Sequence, residues 1–143
     1  MILLDTNIVS EPWRPRPDPA VVAWLDDQTP GSLYICAPVI AELRYGAERL
    51  PDGSRKERLF ARIEQLENIA FQDRILPFDV AAAASFGRIG ARHERAGRPI
   101  DPFDAMIAAI ALSCGFTLAT RDVDGFSGID LAVVNPFEAI VER

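Results

Sequence analysis

Apolar residues follow two different spacings along the chain, and the two alternate from one end to the other. Short apolar runs predict strands, and the first run has no polar alternation, which is typical of a strand buried on both faces of a sheet. Stretches with helical spacing of apolar residues lie between the runs. The predicted strands are Ile2–Leu4, Leu33–Cys36, Ile75–Phe78, Phe116–Ala119 and Leu131–Val134, and the longer predicted helices cover 19–28, 54–68, 79–96 and 102–114, with another starting at Pro38. This order predicts a three-layer α/β/α fold around a mostly parallel five-stranded sheet, in one domain of residues 1–143.

Several predicted helices begin with a recognisable cap. Asp18, Asp79 and Asp101 stand at the N-cap position, where a carboxylate accepts hydrogen bonds from the first free backbone N–H groups. Ser54 with Glu57 three residues later predicts a capping box at the start of helix 54–68.

Length and composition are those of one ordinary globular domain. The 143 residues are 49% hydrophobic and 25% charged, which allows a sizeable single core. No basic segment followed by a long apolar one is present near the amino terminus. The nearly apolar run from Ala105 to Ala119 is shorter than the roughly 20 residues that span a bilayer. We therefore expect a cytoplasmic protein that does not associate with membranes.

Histidine and cysteine offer little for catalysis or metal binding. His93 is the only histidine, and its charged neighbours predict a solvated helical face. Cys36 and Cys114 lie on predicted buried elements without metal-ligand spacing, so we expect two reduced core thiols.

The net charge of −6 argues against a general nucleic-acid coat, but its distribution keeps a polyanion partner open. All fifteen basic residues except Lys56 are arginines, which suit bidentate phosphate contact. Arg88, Arg92 and Arg95 recur along one predicted helix. They are candidates for contact with phosphate or an acidic partner, and a solvated face is the alternative.

Acids and hydroxyls directly follow two predicted strands. Asp5 follows the first strand, and the fourth strand runs into Thr120, Asp122 and Asp124. Ligands of open parallel sheets gather beyond the carboxyl ends of the strands, so these are candidate site residues. A helix cap explains Asp5 equally well, and turn formation explains Asp122 and Asp124.

Two further acids lie on predicted helices. Glu42 falls about 60° from Val39 on the helical wheel, at the margin of the apolar face, from which a carboxylate can reach a cleft. A solvated position or an ion pair with an arginine of the same helix is the alternative. Asp104 occupies the third position of a helix that is almost entirely apolar from 105 to 114. Such a buried helix would hold a site residue rigidly, although an acid there also stabilises the helix start by about 0.3–1 kcal/mol.

Folding should bring these acids together. Right-handed crossovers place Asp5, Asp104 and Asp122 at one edge of the sheet, with Glu42 on a flanking helix. Four carboxylates in one cleft repel each other, and their pKa values rise unless a cation is present. Oxygen ligands without histidine or cysteine suit Mg²⁺ or Mn²⁺, which can bind phosphate oxygens and activate a water for hydrolysis. The hydroxyl and amide residues beside Asp5 and Asp122 would orient waters or ligands.

Two other functions are compatible with part of this pattern. A phosphatase could form an aspartyl-phosphate on Asp5, but such enzymes usually carry a second acid where this chain has Asn7 and a lysine near the phosphate, whereas Lys56 lies on a surface helix. A non-catalytic, metal-binding receiver-like interaction module needs a lysine after a late strand, and residues 116–135 contain none.

The combined motifs resemble those of the PIN-domain ribonucleases, and most of all the VapC/FitB-like toxins of bacterial toxin–antitoxin pairs. The resemblance covers essentially the whole chain, and it is the order and spacing of the motifs that make it specific. The motifs are Ile2-Leu3-Leu4-Asp5-Thr6-Asn7, the helix acid Glu42, Asp104 followed by Ile107-Ala108-Ala109, and Thr120-Arg121-Asp122.

This resemblance implies a Mg²⁺- or Mn²⁺-dependent endoribonuclease, usually a homodimer. It also implies a cognate antitoxin whose tail occupies the acidic cleft and holds the RNA-cleaving enzyme inactive. Carried over position by position, the metal ligands are Asp5, Glu42, Asp104 and Asp122, with Asp124 as an additional member. Thr120 matches the family's hydroxyl beside the last acid.

Overall fold

A sheet of five parallel strands forms the centre of the structure, a computed structural model that describes residues 1–138. The strands are β1 (Ile2–Leu4), β2 (Leu33–Cys36), β3 (Ile75–Leu76), β4 (Thr117–Ala119) and β5 (Val133–Val134). Their order in the sheet is β3-β2-β1-β4-β5, and every neighbouring pair is parallel. The predicted positions of all five strands are confirmed, although β3, β4 and β5 are shorter than predicted.

Helices occupy the connections between the strands. Within residues 1–138 the α-helices are α1 (Thr6–Ser10), α2 (Pro19–Asp27), α3 (Ala37–Glu48), α4 (Ser54–Gln65), α5 (Val80–Arg95) and α6 (Pro102–Cys114). Short 3₁₀ turns follow α1 and β5, and a π-helical turn, Leu66–Ala70, follows α4. Asn135-Pro136 also predicts the start of a terminal helix. The structure has a 3₁₀ turn there, Pro136–Glu138, and the rest of the predicted helix lies outside the described residues.

The central strand β1 determines the position of Asp5, the first acidic residue of the chain. Leu3 and Leu4 are 0% and 2% exposed, because β1 is paired on both edges and covered on both faces. The strand ends as the backbone N–H of Asp5 donates to the carbonyl of Ala119, at 2.9 Å. Asp5 therefore leaves the sheet at its middle, beside the carboxyl end of β4.

Helix α6 is the buried helix of the fold, as predicted from its composition. Ala105 and residues 107–111 are at most 1% exposed, and their small side chains allow close packing against α5, α3 and β4. Cys36 is buried as predicted, but Cys114 is exposed, so one of the two expected core thiols was assigned wrongly. Cys114 is the last residue of α6, and Gly115, with a φ of 70°, turns the chain away there.

His93 is buried, and the prediction of a solvated face was wrong. The buried residues of α5 are Ala82, Ser85, Ile89 and His93, and this spacing puts His93 one turn beyond Ile89 on the inner stripe of the helix. Its charged neighbours in the sequence point elsewhere, because adjacent residues are separated by about 100° around a helix.

The three predicted aspartate caps form, but the capping box does not. Asp18, Asp79 and Asp101 accept backbone N–H hydrogen bonds at the starts of α2, α5 and α6, at 2.8–2.9 Å. Helix α4 instead begins after Gly53, which takes a φ of 151° that glycine adopts readily and other residues do not. Ser54 thus becomes the first helical residue rather than the cap.

Length and polarity of the helices bear on membrane insertion. No helix within residues 1–138 is both long enough and apolar enough to cross a bilayer.

We predict that truncating the central strand destabilises the protein strongly. Leu3→Ala should lower the free energy of unfolding by about 2–5 kcal/mol, since the fully buried site cannot collapse around the cavity. Urea denaturation followed by circular dichroism measures this change. Val80→Ala is the matched control, because Val80 is 86% exposed and should change stability by less than about 0.5 kcal/mol. Equal effects of the two substitutions would contradict the assigned core.

Candidate active site

Asp5 is both a helix cap and a member of the candidate site, so its two proposed roles coexist. Its carboxylate is 3% exposed. Oδ1 accepts a hydrogen bond from the Thr6 amide at 2.8 Å and so caps α1. Oδ2 accepts from the Thr120 hydroxyl at 2.7 Å and from the Asn7 amide nitrogen Nδ2 at 3.5 Å. Both oxygens are therefore oriented by the ends of β1 and β4.

The segment after β4 forms a tight turn around its acid. Thr120 is fully buried, and the hydroxyl that donates to Asp5 also accepts from the amide of Asp122 at 3.1 Å. Asp122 in turn accepts from the amide of Gly125 at 3.2 Å. A Cβ atom on Gly125 would clash with the carboxylate of Asp122, so any larger residue must displace either this carboxylate or the turn. Turn formation and membership of the acidic site coexist here as well.

Glu42 faces the end of β1 rather than an arginine of its own helix. The hydroxyl of Thr6 donates to Oε1 of Glu42 at 2.8 Å. Arg44 is occupied by Glu67, with two hydrogen bonds of 2.8 Å. No basic side chain within residues 1–138 forms an ion pair with Glu42. The margin position predicted from the helical wheel thus directs this carboxylate towards the end of the sheet.

Asp104 has the most perturbed carboxyl group of the site. It lies in the first turn of α6 and is half-buried. Burial, and then the negative charges of Asp5, Asp101, Glu42 and Asp122, raise its pKa to about 7. The amino end of a helix should favour the charged carboxylate. Here burial and like-charge repulsion outweigh that effect.

Electrostatics of the other acids point to the same convergence. The pKa of Asp5 is raised by burial, a change opposed by its hydrogen bonds to Thr120 and Thr6 and increased by the charge of Asp122. Burial also raises the pKa of Glu42, to which the charges of Asp5 and Asp101 add. The four principal predicted acids therefore lie close enough to repel each other, and no cation of the described chain offsets them.

Two acids stand apart from the four principal ones. Asp124 is exposed, and its charge is not among those that raise the pKa values of Asp5, Glu42 or Asp104. Its place among the metal ligands therefore stays a prediction. Asp101 was interpreted only as a helix cap, yet its charge acts on both Glu42 and Asp104. Its position as the cap of α6 could have indicated this effect, because the cap lies at the amino end of the helix that holds Asp104.

The fit of a divalent cation to these residues rests on their chemistry. Carboxylate and hydroxyl oxygens form the whole donor set, which suits Mg²⁺ or Mn²⁺, and mutual repulsion gives the cluster a reason to bind a cation. In residues 1–138 no group of three or more His, Cys, Asp or Glu side chains is already arranged to hold an ion. The donor set fits the ion, and the carboxylates would have to draw closer to ligate it.

A groove of about 680 Å³ adjoins this cluster at Glu42. Four of its lining residues are large and apolar, namely Trp13, Leu43, Leu50 and Leu59, and four are arginines, namely Arg14, Arg55, Arg58 and Arg62. An apolar lining with cationic groups fits a partner segment that carries apolar and acidic side chains. Three of these arginines, Arg55, Arg58 and Arg62, lie on α4, so the basic side chains of this helix line a concave site next to the acids.

Comparison with known proteins identifies the class of domain that this fold and site define. A sequence model of the PIN domain matches residues 2–131, so the chain belongs to the PIN domain family. The VapC ribonuclease Y4jK of Sinorhizobium fredii is 41% identical over 138 residues, which cover 96% of this chain and 99% of that protein. Toxin FitB of Neisseria gonorrhoeae is 44% identical over 137 residues, which cover 96% and 99% of the two proteins.

Solved structures agree with the sequence relatives. A structure of FitAB bound to an IR36 DNA fragment superposes with a TM-score of 0.90, at 42% identity and with 100% of both chains covered. The predicted α/β/α fold and the resemblance to the VapC/FitB-like toxins are therefore confirmed.

We predict that the metal-free protein loses stability as the pH rises through neutrality. The pKa of Asp104 lies near 7 in the folded protein against an ordinary value of 3.8, so the folded state binds this proton more tightly than the unfolded state. Its contribution to stability is complete below about pH 3.8 and is lost as the pH rises through about 7. Urea denaturation in a chelator at pH 5 and pH 8 should show the fall.

Asp104→Asn should reduce this pH dependence, because the uncharged amide cannot be deprotonated. Asp26→Asn, which alters an exposed carboxylate of α2, should keep the parent behaviour. A parent-like pH dependence in Asp104→Asn would show that Asp104 is not the titrating group.

Proposed function

We propose that this chain is a Mg²⁺- or Mn²⁺-dependent endoribonuclease that acts as the toxin of a toxin–antitoxin pair. The observation that carries the proposal is the convergence of Asp5, Glu42, Asp104 and Asp122 without a basic partner. Relatives named VapC ribonuclease and Toxin FitB, at 41% and 44% identity, support the same activity and the same biological role.

The four carboxylates are the proposed ligands of the cation. A bound Mg²⁺ or Mn²⁺ would supply Lewis acidity towards phosphate oxygens and lower the pKa of a coordinated water. Asp104, whose pKa near 7 leaves it about half protonated at neutral pH, would release its proton on ligation. Affinity for the cation should therefore decrease below neutral pH.

Hydroxyl and amide groups keep the carboxylates in place. Thr120 holds Asp5 from β4, and Thr6 holds Glu42 from the start of α1. Asn7 links the two halves of the site, because its side chain donates to Asp5 and accepts from the amide of Arg121 at 3.3 Å. These contacts restrict the carboxylates before substrate arrives, which preserves their orientation without adding a reacting group.

We predict that removing the charge of any one of three site acids abolishes RNA cleavage while leaving the fold intact. Asp5→Asn, Asp104→Asn and Asp122→Asn each retain the shape of the side chain but remove a cation ligand. Cleavage of single-stranded RNA should fall by about 10²-fold or more, since such groups act together. A fluorescent oligonucleotide assay with Mn²⁺ or Mg²⁺ measures the rate, and circular dichroism checks the fold.

Asp26→Asn is the matched control for these three variants, because it makes the same chemical change at an exposed position of α2. Its cleavage rate should equal that of the parent. Parent-like cleavage by the folded site variants would rule out the proposed ligand set, and cleavage in excess chelator would rule out the metal requirement.

No observation favours either alternative function. An aspartyl-phosphate phosphatase or a receiver-like module would need a lysine beside Asp5. Lys56 is the only lysine of the chain, and it pairs with Asp52 at 3.3 Å and with Glu48 at 3.9 Å. Those contacts hold it on the outer part of α4.

The groove beside Glu42 is the proposed binding site of the antitoxin. An antitoxin segment with apolar side chains would fill the hydrophobic lining, and acidic side chains would pair with the arginines. Continuity of the groove with Glu42 would let the following residues of the segment enter the acidic cluster. The similar FitAB structure supports a protein partner of this kind.

We predict that Arg58→Glu weakens binding of the purified antitoxin, because the substitution places a negative charge in the groove. A loss of about tenfold or more corresponds to one repelled or broken charge pair. Isothermal titration calorimetry measures the affinity. Arg49→Glu serves as control, since Arg49 is exposed on α3 but does not line the groove. Equal affinities for both variants would place the antitoxin elsewhere.

The homodimer and the cytoplasmic location remain predictions.

A further inference from the structure

His93 carries a buried atom that the proposed reaction does not use. The side chain is 7% exposed, and its Nδ1 lies 3.1 Å from the carbonyl oxygen of Ile89. Because a carbonyl can only accept, Nδ1 holds the proton of that hydrogen bond. Nε2 is the one buried side-chain nitrogen or oxygen within residues 1–138 that lacks a partner. A buried polar atom without a partner is destabilising, so its presence in a fold calls for a physical explanation.

Two hollows meet at His93, and their linings differ in charge. The larger, about 100 Å³, lies between the end of α5 and the segment after the 3₁₀ turn Asp124–Phe126, and it is lined by Arg92, His93, Ala96, Arg98, Ser127 and Gly128. The smaller, about 60 Å³, is lined by Asp130 among others. No carboxylate of the described chain lines the larger hollow, where two arginines accompany the histidine.

The two arginines of the larger hollow are in different states. Arg98 is anchored, since its Nη2 donates to the Ser127 hydroxyl at 2.6 Å and to the Asp124 carbonyl at 3.2 Å. Its other guanidinium N–H groups remain available. Arg92 forms neither a side-chain hydrogen bond nor an ion pair within residues 1–138. The hollow thus contains one guanidinium group held in place by hydrogen bonds, that of Arg98, and one without a hydrogen-bond partner in residues 1–138, that of Arg92.

The end of α5 does not repel an anion as an open helix end would. Its last carbonyls, those of Arg92, His93 and Glu94, accept hydrogen bonds from the amides of Ala96, Arg98 and Gly97, at 2.9–3.0 Å. Gly97, with a φ of 71°, makes this closure possible. Because the carbonyl groups are satisfied by the chain itself, the negative end of the helix dipole is reduced where the hollow begins.

We propose that the larger hollow binds a phosphate group through Arg92, Arg98 and Nε2 of His93. Guanidinium groups suit phosphate oxygens because their N–H donors match them in pairs. Because Nδ1 carries the proton, Nε2 can accept from the P–OH of a monohydrogen phosphate. The ligand is either free inorganic phosphate or a phosphate group of an RNA chain.

The RNA form of this proposal rests on the ribonuclease function proposed above. Arg98 holds the same turn that carries Gly125, the hydrogen-bond donor to Asp122. A phosphate bound at Arg98 would therefore contact the segment whose Gly125 amide also donates to Asp122. It would anchor a nucleotide remote from the bond that is cleaved.

The lone histidine makes the test direct. Imidazole ¹⁵N signals of the metal-free protein in chelator are followed by NMR while inorganic phosphate is added, with chloride at matched ionic strength as reference. Phosphate should shift the Nε2 signal saturably and chloride should not. Arg92→Gln should weaken phosphate binding about tenfold, as for the loss of one charge-assisted contact. Arg95→Gln, on the same helix but outside the hollow, should bind as the parent does.

Kinetic measurements of RNA cleavage distinguish a bound RNA phosphate from free inorganic phosphate. If the site holds an RNA phosphate, Arg92→Gln should raise KM for RNA cleavage about tenfold with little change in kcat, whereas Arg95→Gln should change neither. A saturable NMR shift with unchanged KM would identify free phosphate as the ligand. If the protein cleaves no RNA, the ribonuclease proposal fails, and the NMR titration still decides whether the phosphate site exists.

Two results would overturn the phosphate site. The first is the absence of a saturable Nε2 shift together with parent-like KM in Arg92→Gln, which would leave the hollow to ordered water. The second is the absence of that shift together with an equal rise of KM in Arg92→Gln and Arg95→Gln. Such an equal rise would show that RNA binding depends on the overall charge of the protein and not on the hollow. His93→Leu, which keeps the apolar bulk of the buried side chain, should also lose phosphate binding by calorimetry, and retained binding would exclude the histidine.

Discussion

Repulsion between carboxylates that the fold holds close together is the constraint on which the site depends. Asp5 and Asp104 are attached to the most deeply buried strand and helix, so neither can relax away without disturbing the core. Burial then raises the free energy of every added negative charge. The fold stores this cost in the cation-free protein, and partial protonation of Asp104 reduces it. The scaffold thus maintains an affinity for positive charge that an exposed group of acids would lack.

Much of the fold could be predicted because its strongest signals are local and repetitive. Unalternating apolar runs identified the strands, and the apolar composition of 105–114 identified the buried helix. The placement of Asp5 and Asp122 followed from topology, since parallel strands put their carboxyl ends at one edge. The approach of Glu42 followed from helical geometry, but its partner did not. Only tertiary packing brings the Thr6 hydroxyl, 36 residues away in sequence, to within 2.8 Å.

Predictions failed where the nearest neighbours in sequence were used to judge exposure. His93 was assigned to solvent from its charged neighbours, although the period of α5 carries it inward. Cys114 was assigned to the core from its apolar helix, although the helix ends there. Asp101 shows the converse, since a correctly predicted cap also acts on the site.

The missing side chain of Gly125 gives the site a point of adjustment outside its charged residues. Any Cβ atom there would clash with the carboxylate of Asp122, so a substitution as small as alanine must displace either the turn or the acid. A change at this position would therefore alter the acidic cluster through a residue that carries no functional group. A comparison of the acidic residues alone would not detect the effect of such a variant, because all of the acids are retained.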